Sequence, residues 1–355
     1  MVAFFERLLK QKAGSTFHKD LFSSAMDDSD TTSFRGLAVI PNEVYTTVAP
    51  RRVRKSFIAI EVEEGAGMLV RRAIGIGKLP NLSPFLMLDH FDTSFSGMDA
   101  SVPDHPHRGQ ETISYIIQGG VDHEDFAGNR GSLEAGDLQF MTAGRGIMHS
   151  EMPRRGTAGE PNIGLQLWVD LPRELKYCEP RYRDLRSKEI PHAIRDNNRV
   201  HVKVISGQAF GVESHNELSY TPLWYLHFTV QPGGQFKQSL PQGWNAFCYV
   251  LEGDIVVSDS GNPHSACQFH MVVFEKEGDC VEISVTESAE KAASFIVVAG
   301  LPLEQPIVQY GPFVVNSREE VAQAILDFRT GQNGFERAIG WVSENSKSRR
   351  HSMAL

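Results

Sequence analysis

From residue 58 onwards, apolar residues occur in short runs that are rich in β-branched and aromatic side chains. Turn signals such as Gly119-Gly120, Gly253-Asp254 and Gly278-Asp279 separate these runs. The runs lie at residues 58–62, 68–74, 112–117, 164–169, 200–205, 224–230, 247–251, 255–257, 271–274, 280–285 and 295–299. Many short strands at this spacing are typical of antiparallel sandwiches and barrels, so the pattern predicts an all-β protein.

The two ends of the chain depart from this pattern. Residues 1–51 show little periodicity and include a polar stretch at 27–33, so we predict a disordered extension outside the core. Near the other end, Ser317 offers a cap before an apolar series through Val321, Ile325 and Phe328. This series predicts one short C-terminal helix.

A diverged internal repeat connects the two halves of the chain. The motif Tyr115-Ile-Ile-Gln-Gly119 recurs 134 residues later as Tyr249-Val-Leu-Glu-Gly253, and Gly136-Asp137 recurs as Gly278-Asp279. Both pairs are strand-to-turn signatures in the same order, which indicates two copies of one barrel. We therefore predict an N-terminal barrel at 52–180, a C-terminal barrel at 181–341 and a polar tail at 342–355.

Histidines and carboxylates cluster in the first copy. His105 and His107 stand two residues apart, and His149 and Glu151 repeat that spacing later in the chain. On an extended strand, residues two apart project from the same face. Two such pairs facing each other in a small barrel would place three imidazoles and a carboxylate around one point, which makes them candidate metal ligands.

The identity of the carboxylate and of the metal stays open at this level. Glu111 stands four residues after His107, close to the histidine pair in the chain, so it competes with Glu151 as the carboxylate ligand. A ligand set of imidazoles and a carboxylate without thiolate suits Fe(II), Mn, Ni, Cu or Zn rather than an iron–sulfur cluster. In the second copy, the ungapped repeat places Ser239, Pro241 and Asn245 at the ligand positions. We therefore expect the C-terminal barrel to be metal-free.

The motifs of the whole stretch from about residue 52 to residue 341 resemble the pirin family, whose members have two cupin domains. They occur in the family's order: His105-Pro-His-Arg-Gly109, His123-Glu-Asp125, Gly136-Asp137, Met141-Thr-Ala-Gly144, Gly146-Ile-Met-His-Ser-Glu-Met-Pro153, Gly164-Leu-Gln-Leu-Trp168, Gly300, Gly311-Pro-Phe-Val314 and Asn333-Gly-Phe-Glu336. The resemblance implies two tandem cupin barrels, that is, double-stranded β-helices of the jelly-roll type.

The resemblance also implies a metal site. In pirins, iron is held by the two histidines of the HPH motif and by the histidine and glutamate of the HSE motif. The matching residues are His105, His107, His149 and Glu151. One Fe(II) per chain is thus implied, with other divalent transition metals as alternatives. Glu111 and Gln110 are then expected beside the ligands, where Glu111 can orient an imidazole. Gln110 stands where the family often has Phe, and we expect it to change the polarity of the pocket wall and the preferred substrate.

Two functions follow from the resemblance. Pirins are associated with quercetin 2,3-dioxygenase activity, in which oxygen cleaves a flavonol with release of carbon monoxide. In that reaction Glu151 would be the catalytic base for the flavonol 3-hydroxyl. The alternative is a non-enzymatic, iron- and redox-responsive nuclear co-regulator that binds transcription-factor proteins. The family is generally described as monomeric, so we expect a monomer.

Composition and net charge indicate which classes of binding partner and which cellular compartment to expect. The net charge of −9 disfavours a direct nucleic-acid site, and no apolar run approaches the length of a membrane helix. Four cysteines without a CxxC motif are typical of a reducing compartment. We expect the nucleus and cytoplasm, or the mitochondrion if the first about 24 residues act as a presequence.

Overall fold

The structure is a computed structural model, and it describes residues 49–96, 101–154, 160–214, 218–259 and 262–347. The extension predicted at 1–51 therefore lies outside the described residues except for its last three. Short strands dominate the described chain, as the alternating apolar pattern predicts, and the all-β fold of two cupin barrels is confirmed.

Short strands follow one another along both barrels. The first thirteen are β1 (Val53–Ile58), β2 (Ile60–Glu64), β3 (Met68–Ile74), β4 (Phe85–Asp92), β5 (Val102–His107), β6 (Gln110–Gln118), β7 (Gly120–Asp125), β8 (Arg130–Glu134), β9 (Leu138–Thr142), β10 (Ile147–Pro153), β11 (Ile163–Asp170), β12 (Arg181–Leu185) and β13 (His192–Arg195). The remainder are β14 (Val200–Ser206), β15 (Gln208–Ala209), β16 (Val212–Glu213), β17 (Leu223–Val230), β18 (Gln235–Ser239), β19 (Asn245–Glu252), β20 (Ile255–Val257), β21 (His264–Ala266), β22 (His270–Phe274), β23 (Cys280–Ser284), β24 (Ala293–Gly300), β25 (Val308–Tyr310) and β26 (Phe313–Val315).

The helices are few. Among the described residues, the helix α1 spans Arg318–Thr330, residues 344–347 are also α-helical, and 3-10 turns occur at Thr93–Phe95, Arg173–Leu175 and Ser187–Glu189. Ser317 caps α1 in a reciprocal capping box with Glu320, as the cap signal predicts. Within the described residues, no helix is both long and apolar enough to span a membrane.

Each barrel consists of a seven-stranded and a four-stranded antiparallel sheet. The N-terminal barrel has the orders β12-β9-β6-β11-β4-β3-β2 and β5-β10-β7-β8. The C-terminal barrel has the orders β1-β22-β19-β24-β17-β14-β13 and β18-β23-β20-β21. The matching strand orders support the internal repeat seen in the sequence.

The two seven-stranded sheets share one hydrophobic core, in which Phe85 of the first barrel meets Phe247 of the second with ring centroids 5.2 Å apart. The interiors of the two barrels differ. Phe228, Phe236 and Phe295 stack inside the C-terminal barrel and fill it. The N-terminal barrel instead encloses polar side chains.

Strand pairing corrects the division predicted at residue 180. β1 pairs with β22 and thus belongs to the C-terminal sheet, with Val53 opposite Phe274 and Ile58 opposite His270. β12 pairs with β9 and extends the N-terminal sheet. Hydrogen bonding rather than chain order decides which sheet a strand joins. β1 can therefore cover the edge of the C-terminal sheet, whose backbone groups would otherwise be unpaired.

Both ends of the predicted core also need correction. Arg51, assigned to the extension, is 1% exposed and donates to the carbonyl oxygens of Pro241 (2.7 Å) and Trp244 (2.6 Å). The tail predicted from residue 342 packs on the N-terminal barrel as far as it is described. Ser343 donates its backbone N–H to Asp104, and the Ser346 hydroxyl donates to the same carboxylate.

Candidate metal centre

β5 and β10 bring three histidines together inside the N-terminal barrel. These strands pair antiparallel, with His149 opposite His105 and Ile147 opposite His107. The two-residue spacing turns both side chains of β5 to the interior. The ring centroids lie 4.4–5.0 Å apart, and one nitrogen from each ring falls within 4.8 Å of the others. All three rings are buried.

Burial favours the neutral form of these imidazoles. Loss of solvation lowers the pKa of His105, against the opposing charge of Glu151, and lowers the pKa of His107 and His149 well below the usual value. A neutral imidazole presents a lone pair that a metal can accept. Within the described chain, His107 Nε2 and His149 Nδ1 have no hydrogen-bond partner. The donor set and its unpartnered nitrogens fit a divalent transition metal.

Glu151 stands beside this group, in the cavity that His105 and His107 also line. Its Oε1 accepts a hydrogen bond from the Ser114 hydroxyl at 2.8 Å, and its Oε2 accepts one from Gln166 Nε2 at 3.0 Å. The three histidines form the group of closely spaced donor atoms, and Glu151 is outside it. Coordination by Glu151 therefore stays a prediction.

The role predicted for Glu111 is wrong. Its carboxylate accepts hydrogen bonds from Thr142, from the Ser219 hydroxyl and from the backbone N–H groups of Tyr220 and Thr221. Successive residues of a strand face opposite sides, and Glu111 shares the side of β6 that packs against the C-terminal barrel. Burial raises the pKa of Glu111, while these hydrogen bonds lower it.

Gln110 contacts a candidate ligand instead. Its Nε2 lies 2.9 Å from His107 Nδ1, and its side chain is fully buried behind that ring. Gln110 thus lies beside a candidate ligand, as expected, but it does not line the cavity, so its effect on the pocket wall and on substrate preference stays a prediction. The one-residue alternation of β6 explains the contact with His107: Gln110 faces the interior and Glu111 faces away.

The cavity next to the histidines is mainly apolar. Its volume is about 70 Å³. The Trp168 ring meets the His107 ring edge to face, with centroids 5.0 Å apart. The apolar lining is Met68, Val70, Met87, Phe91, Val102, Ile116, Val121, Pro153 and Trp168. Further acidic groups, Glu64 and Asp89, line the cavity, and both are bound to Arg72.

Sequence reasoning did not single out Ser114, Gln166 or Trp168 as site residues. All three lie on strands that the apolar runs predict, at even-numbered positions of β6 and β11 that face the interior. Gln166 and Trp168 also belong to the motif Gly164-Leu-Gln-Leu-Trp168. The alternation of side chains along a strand would therefore have identified these three residues, once the interior face of each strand was known.

A buried ion pair anchors the end of β5. Arg108 Nη1 donates to Asp327 Oδ2 of α1 at 2.7 Å, and its other nitrogens donate to the carbonyl oxygens of Arg145 and Asn333. Lys176 pairs with Asp170 and also donates to the carbonyl oxygen of Gly109. The residues after His107 are therefore held from both sides.

Comparisons with known proteins agree with this architecture. The family model "Pirin" matches residues 67–169, and the model "Pirin C-terminal cupin domain" matches residues 225–334. Pirin of Homo sapiens is 45% identical over 295 residues, covering 83% of this chain and 98% of the human protein. A pirin-like protein of Solanum lycopersicum is 44% identical over 296 residues, covering 83% of this chain and 97% of that protein.

Solved structures show the same fold. A quercetin 2,3-dioxygenase from Acinetobacter baumannii superposes with a TM-score of 0.72 at 31% identity, covering 80% of this chain and 98% of that chain. A bacterial pirin from Escherichia coli, solved in complex with nickel(II), superposes with a TM-score of 0.52 at 18% identity, covering 71% and 98%. The second likeness supports the fold alone.

Proposed function

Because this chain belongs to the pirin family, we propose that it is a metal-dependent dioxygenase that cleaves a flavonol such as quercetin with molecular oxygen. The observation that carries the proposal is the group of three buried histidines beside a cavity with aromatic and aliphatic walls. The 31% identical structural relative named as a quercetin 2,3-dioxygenase supports the choice of substrate.

One Fe(II) ion would be held by His105, His107 and His149, with Glu151 as the fourth ligand. Imidazole and carboxylate ligands suit this ion, and no group of the described chain is hydrogen-bonded to His107 Nε2 or His149 Nδ1. When bound, the ion would act as a Lewis acid that lowers the pKa of the flavonol 3-hydroxyl and activates the substrate toward oxygen.

The protein's own groups would bind the substrate and take up its proton. Glu151 lies beside the histidines and accepts the proton from the 3-hydroxyl on a carboxylate oxygen. Ser114 and Gln166 hold that carboxylate in place through their hydrogen bonds. Trp168, with its apolar neighbours, packs against the flat rings and excludes water from the reacting atoms.

Oxygen uptake by the iron-loaded protein tests the proposal. Protein loaded anaerobically with Fe(II) is mixed with quercetin and oxygen, and oxygen consumption and carbon monoxide are measured together. We expect uptake that requires the metal and falls at least about tenfold, per bound iron, in Glu151→Gln. Ser239→Ala, in the second barrel, is the matched control and should retain full activity.

The same assay decides between the two candidate functions. Protein that binds iron but consumes no oxygen with any flavonol would refute the enzyme proposal. The remaining candidate would then be the nuclear co-regulator, in which iron oxidation state alters binding to a transcription factor. Location in the nucleus and cytoplasm and the monomeric state also stay predictions.

A further inference from the structure

The side-chain amide of Gln110 contacts two different groups with one atom. Its Nε2 lies 2.9 Å from His107 Nδ1 and 3.0 Å from the carbonyl oxygen of Pro312. Its Oε1 has no hydrogen-bond partner within the described chain, although the residue is fully buried. Gln110 thus stands between a candidate metal ligand and the backbone before β26.

The partners decide which atom of the amide is the nitrogen. A carbonyl oxygen can only accept a hydrogen bond, so the amide atom that faces Pro312 must be the donor. The second hydrogen of that nitrogen is then directed to His107 Nδ1, which must accept it. A ring nitrogen that accepts a hydrogen bond carries no proton, so the ring is neutral and its single proton is on the other nitrogen. That proton is therefore on Nε2.

His105 has the opposite arrangement. Its Nδ1 lies 2.8 Å from the carbonyl oxygen of Pro103, so Nδ1 carries the proton and Nε2 presents a lone pair. His149 Nε2 lies 3.0 Å from that lone pair and donates to it. His105 is thus held in the tautomer that binds a metal through Nε2, and His107 is held in the other one.

We propose that Gln110 is a positioning residue that weakens metal binding, because it stabilises the tautomer of His107 that has no Nε2 lone pair. This inference rests on the metal site of the proposed function. For Nε2 to bind an ion, its proton must be lost while another proton is taken up at Nδ1, with no net change. The protonated Nδ1 then faces the Gln110 amide nitrogen, two donors in contact.

Rotation of the amide does not remove the conflict. Turning it by half a turn presents Oε1 to the His107 Nδ1–H, but it also brings Oε1 against the Pro312 carbonyl oxygen and leaves the amide nitrogen without that acceptor. One buried hydrogen bond is therefore lost in either arrangement. A side chain at position 110 that donates no hydrogen bond would avoid this loss.

Gln110→Met tests the proposal, since methionine is unbranched, similar in size and donates no hydrogen bond. The dissociation constant for Co(II) alone is measured by competition with a chelator, and we expect it to fall about tenfold in this variant. The matched control is Gln139→Met. Gln139 Nε2 lies 2.9 Å from His123, which is outside the three-histidine group, so Co(II) affinity should be unchanged.

The direction of the change in Co(II) affinity distinguishes two possible roles of Gln110. If Gln110 instead orients His107 for the metal, its loss should weaken Co(II) binding by about 10–100-fold, as is usual for groups that support a ligand. Weaker or unchanged binding in Gln110→Met would therefore overturn the proposal. If Co(II) affinity rises in Gln110→Met but the Fe(II)-loaded wild-type protein consumes no oxygen with flavonols, the dioxygenase proposal is refuted and this inference stands.

Nitrogen-15 NMR of the metal-free wild-type protein gives a second test that needs no variant. We expect His107 to show a protonated Nε2 and an unprotonated Nδ1, and His105 to show the reverse. A protonated Nδ1 on His107 in the metal-free protein would overturn the proposal, whatever the affinities of the variants. This spectrum reports the tautomer of His107 directly. If Gln110 had only a packing role, it would not determine that tautomer.

Discussion

Replacement of Asp327 by Asn tests how helix α1 supports the metal centre. Asp327 and Arg108 are 2% and 1% exposed, and they form an ion pair of 2.7 Å. Arg108 directly follows His107 in the sequence. The substitution retains the size of the side chain but removes its charge, and it can place an amide donor against the guanidinium.

The expected loss of stability follows from the burial of this ion pair. Removal of one partner of a buried ion pair costs about 3–5 kcal/mol, because the other charge stays buried without compensation. Asn can still accept hydrogen bonds from Gln323 and Asn333 as Asp327 does, so we expect the lower end, about 3 kcal/mol. At roughly 2–4 °C per kcal/mol, the melting temperature should fall by about 6–12 °C.

Thermal unfolding and Co(II) affinity should be measured together on Asp327→Asn. The matched control is Glu252→Gln, which removes the charge from an exposed ion pair with Lys291 and should cost less than about 1 kcal/mol. A loss no greater than in the control would refute the stabilising role of the buried pair. A large loss of stability with unchanged Co(II) affinity would show that α1 supports the fold but not the metal centre.

Three further predictions concern the metal, pH and the N-terminus. His107→Ala should lose most bound metal, because one of three clustered imidazoles is removed, whereas Ser239→Ala should retain it; equal losses in metal analysis would contradict this. Burial lowers the pKa of His227 to about 3 from 6.5, so the unfolded chain takes up a proton that the folded chain does not. Stability in urea should therefore fall as pH falls below about 6.5, by about 2 kcal/mol for this ring at pH 5, and less steeply in His227→Gln. A chain starting at residue 49 should melt like the full chain, but one starting at residue 52 should be less stable by about 1.5–3 kcal/mol, because it lacks Arg51.

The sequence by itself determined the class of fold and the cluster of histidines. Alternating apolar residues can bury only one face of a strand, which is why the short runs predicted the sheets. The same period of two placed His105 and His107 on one face of β5. Both inferences need only the local geometry of an extended chain.

Tertiary structure alone decided which side of each strand faces the cavity. The sequence shows that Gln110 and Glu111 lie on opposite faces of β6, but not which face turns toward His107. That depends on how the two barrels pack: Glu111 faces the loop before β17, whose backbone N–H groups need an acceptor. The contact of Gln110 with Pro312 likewise joins residues far apart in the chain.

Long-range pairing also decided the borders of the barrels. β1 completes the sheet of the C-terminal barrel, more than 200 positions along the chain, and Arg51 is buried in that barrel. Asp327 reaches Arg108 from a helix at the other end of the protein. Local patterns predict elements because neighbouring residues set backbone geometry and the buried face. Partners across such distances are selected by the packing of the whole molecule, which no local pattern encodes.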